Sequence, residues 1–222
     1  MSRVNDYRVT NFERNALDVV TRPKPDGGLY VMRMVELAVV PPSEERVSTA
    51  SSLARLDARD RALFLRMSLT ARPCSRTSRT AWVIITHAGG LWASVLASIL
   101  PLFLEGVARS AALHALAGLA LSHAAVQLLK RNVERPRPSS AVRCNTLVTE
   151  PPCFSFPSGH ATAAMSVAFM YAVAFPVYAV ALMALAVAVG FSRVRLGVHY
   201  PGDVLAGQVI ALISDIALLA IW

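Results

Sequence analysis

The chain has 222 residues, of which 55% are hydrophobic and 16% charged, with a mean hydropathy of +0.48 and a formal net charge of +8. That composition is too apolar for an ordinary soluble domain and suits a multi-pass membrane protein. Three cysteines are too few for a disulfide scaffold. The arginines lie between membrane-length apolar runs and not along a polar face, which argues against nucleic acid and for anionic lipid headgroups or a phosphorylated substrate.

Residues 1–57 read as a flexible polar tail, broken by Pro23, Pro25, Pro41, Pro42 and the pair Gly27-Gly28. Its one apolar patch, Leu29 to Val40, is interrupted by Arg33 and Glu36. The patch is too short and too charged to span a bilayer or to be a signal-peptide core, and predicts at most one short helix or strand. Between residues 53 and 70, Leu53, Leu56, Leu63, Leu65 and Met67 alternate with Arg55, Arg59, Arg61 and Arg66. This is the pattern of an amphipathic helix, either lying on a membrane surface or packed on the membrane domain. Arg72, Arg76 and Arg79 then form a basic flank to the first membrane run.

A membrane-embedded domain is expected over 58–222, all-α, as a multi-pass transmembrane bundle of about five spanning helices with a polar active-site loop. Ala81–Leu104 and Ser110–Leu129 carry no charge. Each reaches the length of about 20 residues needed to cross a hydrocarbon core of about 30 Å. Ala161–Ser192 is also free of charge but too long for one span, and Pro176 should divide it. The predicted spans are about 81–104, 110–130, 159–175, 177–196 and 201–222. This threading brings three polar clusters to one membrane face: Lys130 to Pro138, Pro157-Ser158-Gly159-His160, and Ser192 to Asp203.

Those clusters have the parts of a phosphoryl-transfer site. Negative charge on a transferring phosphoryl group needs cations and N–H donors, an in-line nucleophile and a leaving-group acid. Lys130, Arg137 and Arg193 supply fixed positive charge, and the arginines offer two-pronged donors. Ser158 is expected to N-cap a helix whose first N–H groups face the anion, and Gly159 to let the backbone approach closely. His160 is the candidate general acid, and His199 the candidate nucleophile as a neutral imidazole. Pro201 suits the first turn of the last helix, which puts Asp203 at about its third position, able to reach back and orient His199. No Asp, Glu and His set here has metal-ligand spacing, and three cations fill that electrostatic role, so neither metal nor other cofactor is expected.

Other polar residues are read outside the site. Arg131, Arg135 and Arg195 are expected to be headgroup contacts or surface charges. His87, His114 and His123 should be buried and hydrogen-bonded across helices. Asp215, well inside the last helix, flags function by default, and is expected to pair with one of those histidines or to be hydrated at the far interface.

The three clusters resemble the signature of the type 2 phosphatidic acid phosphatase superfamily, which also contains the vanadium haloperoxidases. Lys130, Arg137 and Pro138, then Pro157, Ser158, Gly159 and His160, then Ser192, Arg193, His199 and Asp203 match it position by position. The resemblance covers about residues 58–222. It implies a membrane lipid phosphatase with a helical-bundle core that hydrolyses a phosphomonoester or diphosphate lipid without a metal, through a phosphohistidine at His199. By the same resemblance His160 is the acid, Asp203 orients His199, and Lys130, Arg137, Ser158, Gly159 and Arg193 bind the phosphate. Many membrane members have three spans before the first cluster, whereas two are read here, and residues 53–70 are the candidate for the third. A lipid phosphotransferase would use the same residues. A haloperoxidase would gain nothing from five spans, and a transporter or scaffold would not need His160, His199 and Asp203 together. The expected partners are a lipid phosphate substrate and membrane lipids, with no nucleic acid; neither the particular lipid nor the oligomeric state follows.

The expected location is the bacterial inner membrane, with two opposed signals on orientation. Arg72, Arg76, Arg79, Lys130, Arg131, Arg135, Arg137, Arg143, Arg193 and Arg195 share the face of the clusters, against Arg109 on the other. The positive-inside rule therefore places the site in the cytoplasm. Cys144 and Cys153, both in the loop before the second cluster, would instead pair as a disulfide if the site faced an oxidising compartment.

Overall fold

The computed structural model describes residues 20–23, 29–32, 44–71, 75–141, 146–150 and 154–222. The chain divides into two units, residues 1–49 and 50–222. In the first, β1 (Val20–Pro23) and β2 (Leu29–Met32) form an antiparallel hairpin that pairs Val20 with Met32 and Pro23 with Leu29. The rest of the expected flexible tail up to residue 43 lies outside the described residues, as do Arg72, Arg143, Cys144 and Cys153.

The second unit is helical. Helix α1 (Glu44–Met67) leads into it, and its side chains are described from Ala54 onward. Then come α2 (Arg76–His87), α3 (Leu91–Ile99), α4 (Val107–Val133), the short α5 (Pro138–Ala141), α6 (Gly159–Ala174), α7 (Ala179–Arg195) and α8 (Pro201–Ile221). Pro176 opens a one-turn 3-10 segment that separates α6 from α7, as a proline after an apolar run should. Among the described residues, three stretches are long and apolar enough to cross a membrane: Val107–Ala141, Pro176–Arg195 and Pro201–Ile221. Helix α6 is apolar but has only 16 residues.

The expected span over 81–104 is not one straight helix. It breaks after His87, and the two halves meet at 45°. The cause is local. A Cβ on Gly89 would sit 2.3 Å from Val189 Cγ1 and 2.9 Å from the His160 carbonyl oxygen. The chain passes this point only without a side chain, and Gly90 then starts α3 from an extended conformation (φ −69°, ψ 161°). A charge-free sequence reports that the run is apolar, not that it is straight.

Helix α6 is the hub, packed against α4, α7 and α8. Its buried residues, among them Ala161, Thr162, Ala163, Ala164, Ser166 and Ala168, are small and fall on all sides of the helix. Small side chains let neighbouring backbones approach closely where dispersion and hydrogen bonds, not water exclusion, hold helices together. Ser166 Oγ donates to Asp215 Oδ1 of α8 at 2.9 Å, and Asp215 is fully buried. Its partner is thus a serine, not a histidine, and it is not hydrated at an interface. His87 and His114 also depart from expectation, since each Nδ1 bonds the carbonyl four residues back in its own helix.

Helix α1 docks on this bundle. Phe64 is fully buried with Ala161, Val194, Tyr200 and Val204, its ring edge-on to Tyr200 at 5.4 Å, while Leu56, Leu63 and Leu65 are exposed. Burying one phenylalanine is worth about 1.5–3 kcal/mol. Of the two readings of residues 53–70, packing on the domain is therefore the one Phe64 realises.

Candidate active site

A cavity of about 600 Å³ opens among α3, α4 and α6 and is lined at one end by Lys130, Arg137, Gly159, His160, Arg193 and His199. The three polar clusters thus meet around one space. Lys130 comes from the last turn of α4, Arg137 from the residue just before α5, His160 from the first turn of α6 and Arg193 from the last turn of α7. Helix ends converge because these helices alternate direction through the bundle. The remaining wall is largely apolar, with Leu91 and Val95 from α3 and Leu116, Leu119 and Ala120 from α4. His160 and Arg193 also border a second cavity of about 310 Å³ with Thr86, His87, Gly90, Val148 and Thr149.

His199 is 2% exposed and presents its ring to the main cavity. Its Nδ1 points the other way, 3.4 Å from Ser155 Oγ and 3.6 Å from Asp203 Oδ2. The second distance is too long for a hydrogen bond. Ser155 fills the gap by donating to Asp203 Oδ2 at 2.5 Å. Asp203 is the third residue of α8, as expected, and its Oδ2 also accepts the Tyr200 N–H at 2.9 Å. It caps the helix and faces the histidine at once. Burial, with Arg193 and Arg137 adding and Asp203 opposing, pushes the His199 pKa down to about 4. The imidazole is therefore neutral at ordinary pH.

The arginines are each held by a neighbour, Arg137 by one inside the third cluster and Arg193 by one outside all three. Arg137 NH1 donates to the Val198 carbonyl oxygen at 3.0 Å, and Arg193 NH1 to Thr86 Oγ1 at 2.9 Å. Ser158 occupies the N-cap of α6, but its hydroxyl makes no cap bond and is buried without a partner among the described residues. A Cβ at Gly159 would meet only His123 Cε1, at 3.9 Å, whereas between elements of the protein itself close backbone approach is needed at Gly207. There a Cβ would come within 2.6 Å of the Ser158 carbonyl oxygen. His123 lines the main cavity and approaches Gln127 Nε2 at 3.2 Å.

Arg135 and Arg195 are not surface charges. Arg195 NH1 donates to the Met67 carbonyl oxygen at 2.8 Å. Arg135 pairs with Asp203 at 2.6 Å and with Asp57 and Asp60 of α1 at 2.8 Å each. Sequence reasoning missed Thr86, Ser155, Asp57 and Asp60 because none carries a local signal. Each acts on a partner at least 44 positions away. Arg135 carried one weak signal, a second Arg-Pro beside the first.

Comparison with known proteins follows the same lines. Residues 111–222 match the PAP2 superfamily, and the chain belongs to it. It is similar to the decaprenylphosphoryl-5-phosphoribose phosphatase of Mycolicibacterium smegmatis, with 45% identity over 94 residues, covering 41% of this chain and 49% of that protein. The chain spans about half the length of that curated relative. The crystal structure of Aquifex aeolicus LpxE superposes with a TM-score of 0.62 at 23% identity, over 72% of this chain and 93% of that one. A transmembrane PAP2-type phosphatidylglycerolphosphate phosphatase from Bacillus subtilis gives 0.60 at 26% identity, over 75% and 86%. The fold is that of a multi-pass transmembrane helical bundle.

Proposed function

We propose that this PAP2-superfamily chain is an integral membrane lipid phosphatase that removes a terminal phosphate, as monoester or diphosphate, through a phosphohistidine at His199. The observation that carries the reading is the shape of the main cavity. One end holds Lys130, Arg137, Arg193, His160 and His199, and the rest is a largely apolar wall. A phosphate on a long apolar chain satisfies both halves. Relatives named for decaprenylphosphoryl-phosphoribose and phosphatidylglycerolphosphate point to the same class of substrate.

In this mechanism Lys130, Arg137 and Arg193 hold the equatorial oxygens of the phosphoryl group. With Nδ1 turned toward Ser155 and Asp203, His199 attacks phosphorus through Nε2. The P–O bond to the lipid breaks, and His160, protonated by the phosphate's own acidic oxygen as the substrate binds, gives that proton to the departing oxygen. Water, deprotonated by His160, then cleaves the P–N bond and frees inorganic phosphate. Asp203 stabilises the positive imidazole that exists between the two steps. No metal enters this scheme, since three side-chain cations supply the charge. Among the described residues, no group of three or more His, Cys, Asp or Glu could hold an ion. The same reading places the protein in a bacterial inner membrane.

The test is phosphate release by purified protein in detergent, with EDTA present, from phosphatidic acid, phosphatidylglycerol phosphate, a polyprenyl diphosphate and a polyprenyl-linked sugar phosphate. At least one should turn over, and vanadate should inhibit. Activity lost in EDTA and restored by magnesium would overturn the metal-free step. Transfer to an added acceptor lipid at the expense of free phosphate would make the protein a phosphotransferase.

A further inference from the structure

We infer that Arg135 is a positioning residue for the reaction proposed above, and that helix α1 acts on the site through it. The inference rests on that proposed function. The Arg135 guanidinium touches three carboxylates. NH1 lies 2.6 Å from Asp203 Oδ1 and 2.8 Å from Asp60 Oδ2, and NH2 lies 2.8 Å from Asp57 Oδ1. Its plane covers the Tyr200 ring, with Cζ 4.1 Å from the centroid. A headgroup anchor would point its charge outward. This one is largely buried and turned toward the residue that orients His199.

The backbone joins in. The Arg135 carbonyl oxygen accepts the Ser155 N–H at 2.8 Å, and Ser155 in turn donates to Asp203 Oδ2. Arg135 therefore fixes one oxygen of Asp203 directly and the other through Ser155. Asp60 adds a second tie, because its Oδ1 accepts the Gly202 N–H at 2.8 Å, one residue before Asp203. Three carboxylates this close would repel one another without the cation between them, so the guanidinium, Asp57 and Asp60 hold each other and Asp203 in one geometry. The carboxylate's distance from Nδ1 decides how well it can steady a positively charged His199.

The groups facing His199 are Asp203 from α8, Arg193 from α7, Arg137 from just before α5 and His160 from α6. Removing the Arg135 charge leaves Asp203 unscreened, so His199 should take up a proton at higher pH. Arg135→Lys keeps that charge, so it should keep the titration in place, whereas a loss of burial would move it in both variants.

The experiment uses the full chain in detergent, with wild type and His199→Ala measured beside Arg135→Met, Arg135→Lys and the Asp57→Asn/Asp60→Asn double variant. Arg135→Met should lower kcat about 10- to 100-fold, the loss typical when a partner orienting a histidine is removed, with KM unchanged. The acid limb of its kcat/KM profile should move to higher pH. Arg135→Lys should restore the wild-type limb but not the full kcat, because an ammonium lacks the planar fork that grips three carboxylates. The double variant should lower kcat by a smaller factor. Wild-type kcat in Arg135→Lys together with an unmoved limb in Arg135→Met would overturn the inference. Should Arg135→Met not fold, Arg135→Lys and the double variant decide alone, and wild-type kcat in both would overturn it. Inactive wild type, or active His199→Ala, would instead overturn the phosphatase reading itself.

Discussion

An imidazole can attack phosphorus only when it is neutral, and His199 is kept neutral by its position. A free histidine takes up its proton near pH 6.5, whereas burial beside Arg193 and Arg137 delays this to about 4. The acid limb of kcat/KM should therefore lie near pH 4 once the substrate's own ionisation near about pH 6 is allowed for. A limb at 6.5 in the free enzyme would show that His199 is solvated. The same shift makes stability fall as pH drops from 6.5 to about 4, because the unfolded chain binds the proton first. His199→Ala should abolish turnover and leave no acid-labile phosphoenzyme. Arg137→Lys should cut kcat/KM by about tenfold or more despite keeping its charge. Its guanidinium already commits one N–H to the Val198 carbonyl oxygen, and a lysine cannot serve both that oxygen and a phosphate with fixed geometry. Wild-type kcat/KM in Arg137→Lys would show that the phosphate does not use the two-pronged grip of Arg137.

Elements set the distances between these residues. Helix α8 carries Asp203 and lies so close to the start of α6 that Gly207 has no room for a methyl group. Gly207→Ala should destabilise the protein by about 1–3 kcal/mol and lower kcat as α8 shifts from Ser158. Thermal melting and turnover measured together would check this, and unchanged values would mean the α6–α8 approach is looser than its geometry. Phe64 locks α1 to the segment that presents His199. Phe64→Ala should cost about 3–5 kcal/mol, read as a lowered melting temperature in detergent. The break between α2 and α3 belongs to the same scale. It sets Gly89 against the His160 backbone and brings Thr86 to Arg193.

The whole molecule poses the question of which side of the membrane the site faces. The arginine count predicts that the clusters face the cytoplasm. Cys144 and Cys153 give the means of testing this. In intact cells a membrane-impermeant thiol reagent should label neither until the membrane is permeabilised. Labelling without permeabilisation, or a Cys144–Cys153 disulfide in rapidly trapped cells, would place the site outside and show that the positive charges of this face serve chemistry and packing. Arg135 and Arg195 already do the latter, bound to Asp57, Asp60 and Asp203 and to the Met67 carbonyl oxygen.

What the sequence determined by itself follows from its local patterns. Charge-free runs bounded by basic residues fix the fold class, because lipid penalises a charge wherever it falls. Reversal of direction at each loop brings Lys130, Arg137, His160, Arg193 and His199 to one face before any packing is known. Pro201 fixes the start of α8, and so the place of Asp203 in its first turn, because proline at that position loses no hydrogen bond. Tertiary structure decided the rest. It bent the first apolar run at Gly89-Gly90, gave Asp215 a serine, left the Ser158 hydroxyl without a cap bond and put Ser155 between Asp203 and His199. It also turned Arg135 inward to Asp57 and Asp60, which lie 78 and 75 positions earlier in the chain. No window of sequence contains such a pair. A long arginine side chain at a helix end reads the same whether it reaches out to a headgroup or back to buried carboxylates, and only the packing of α1 against α8 settles which.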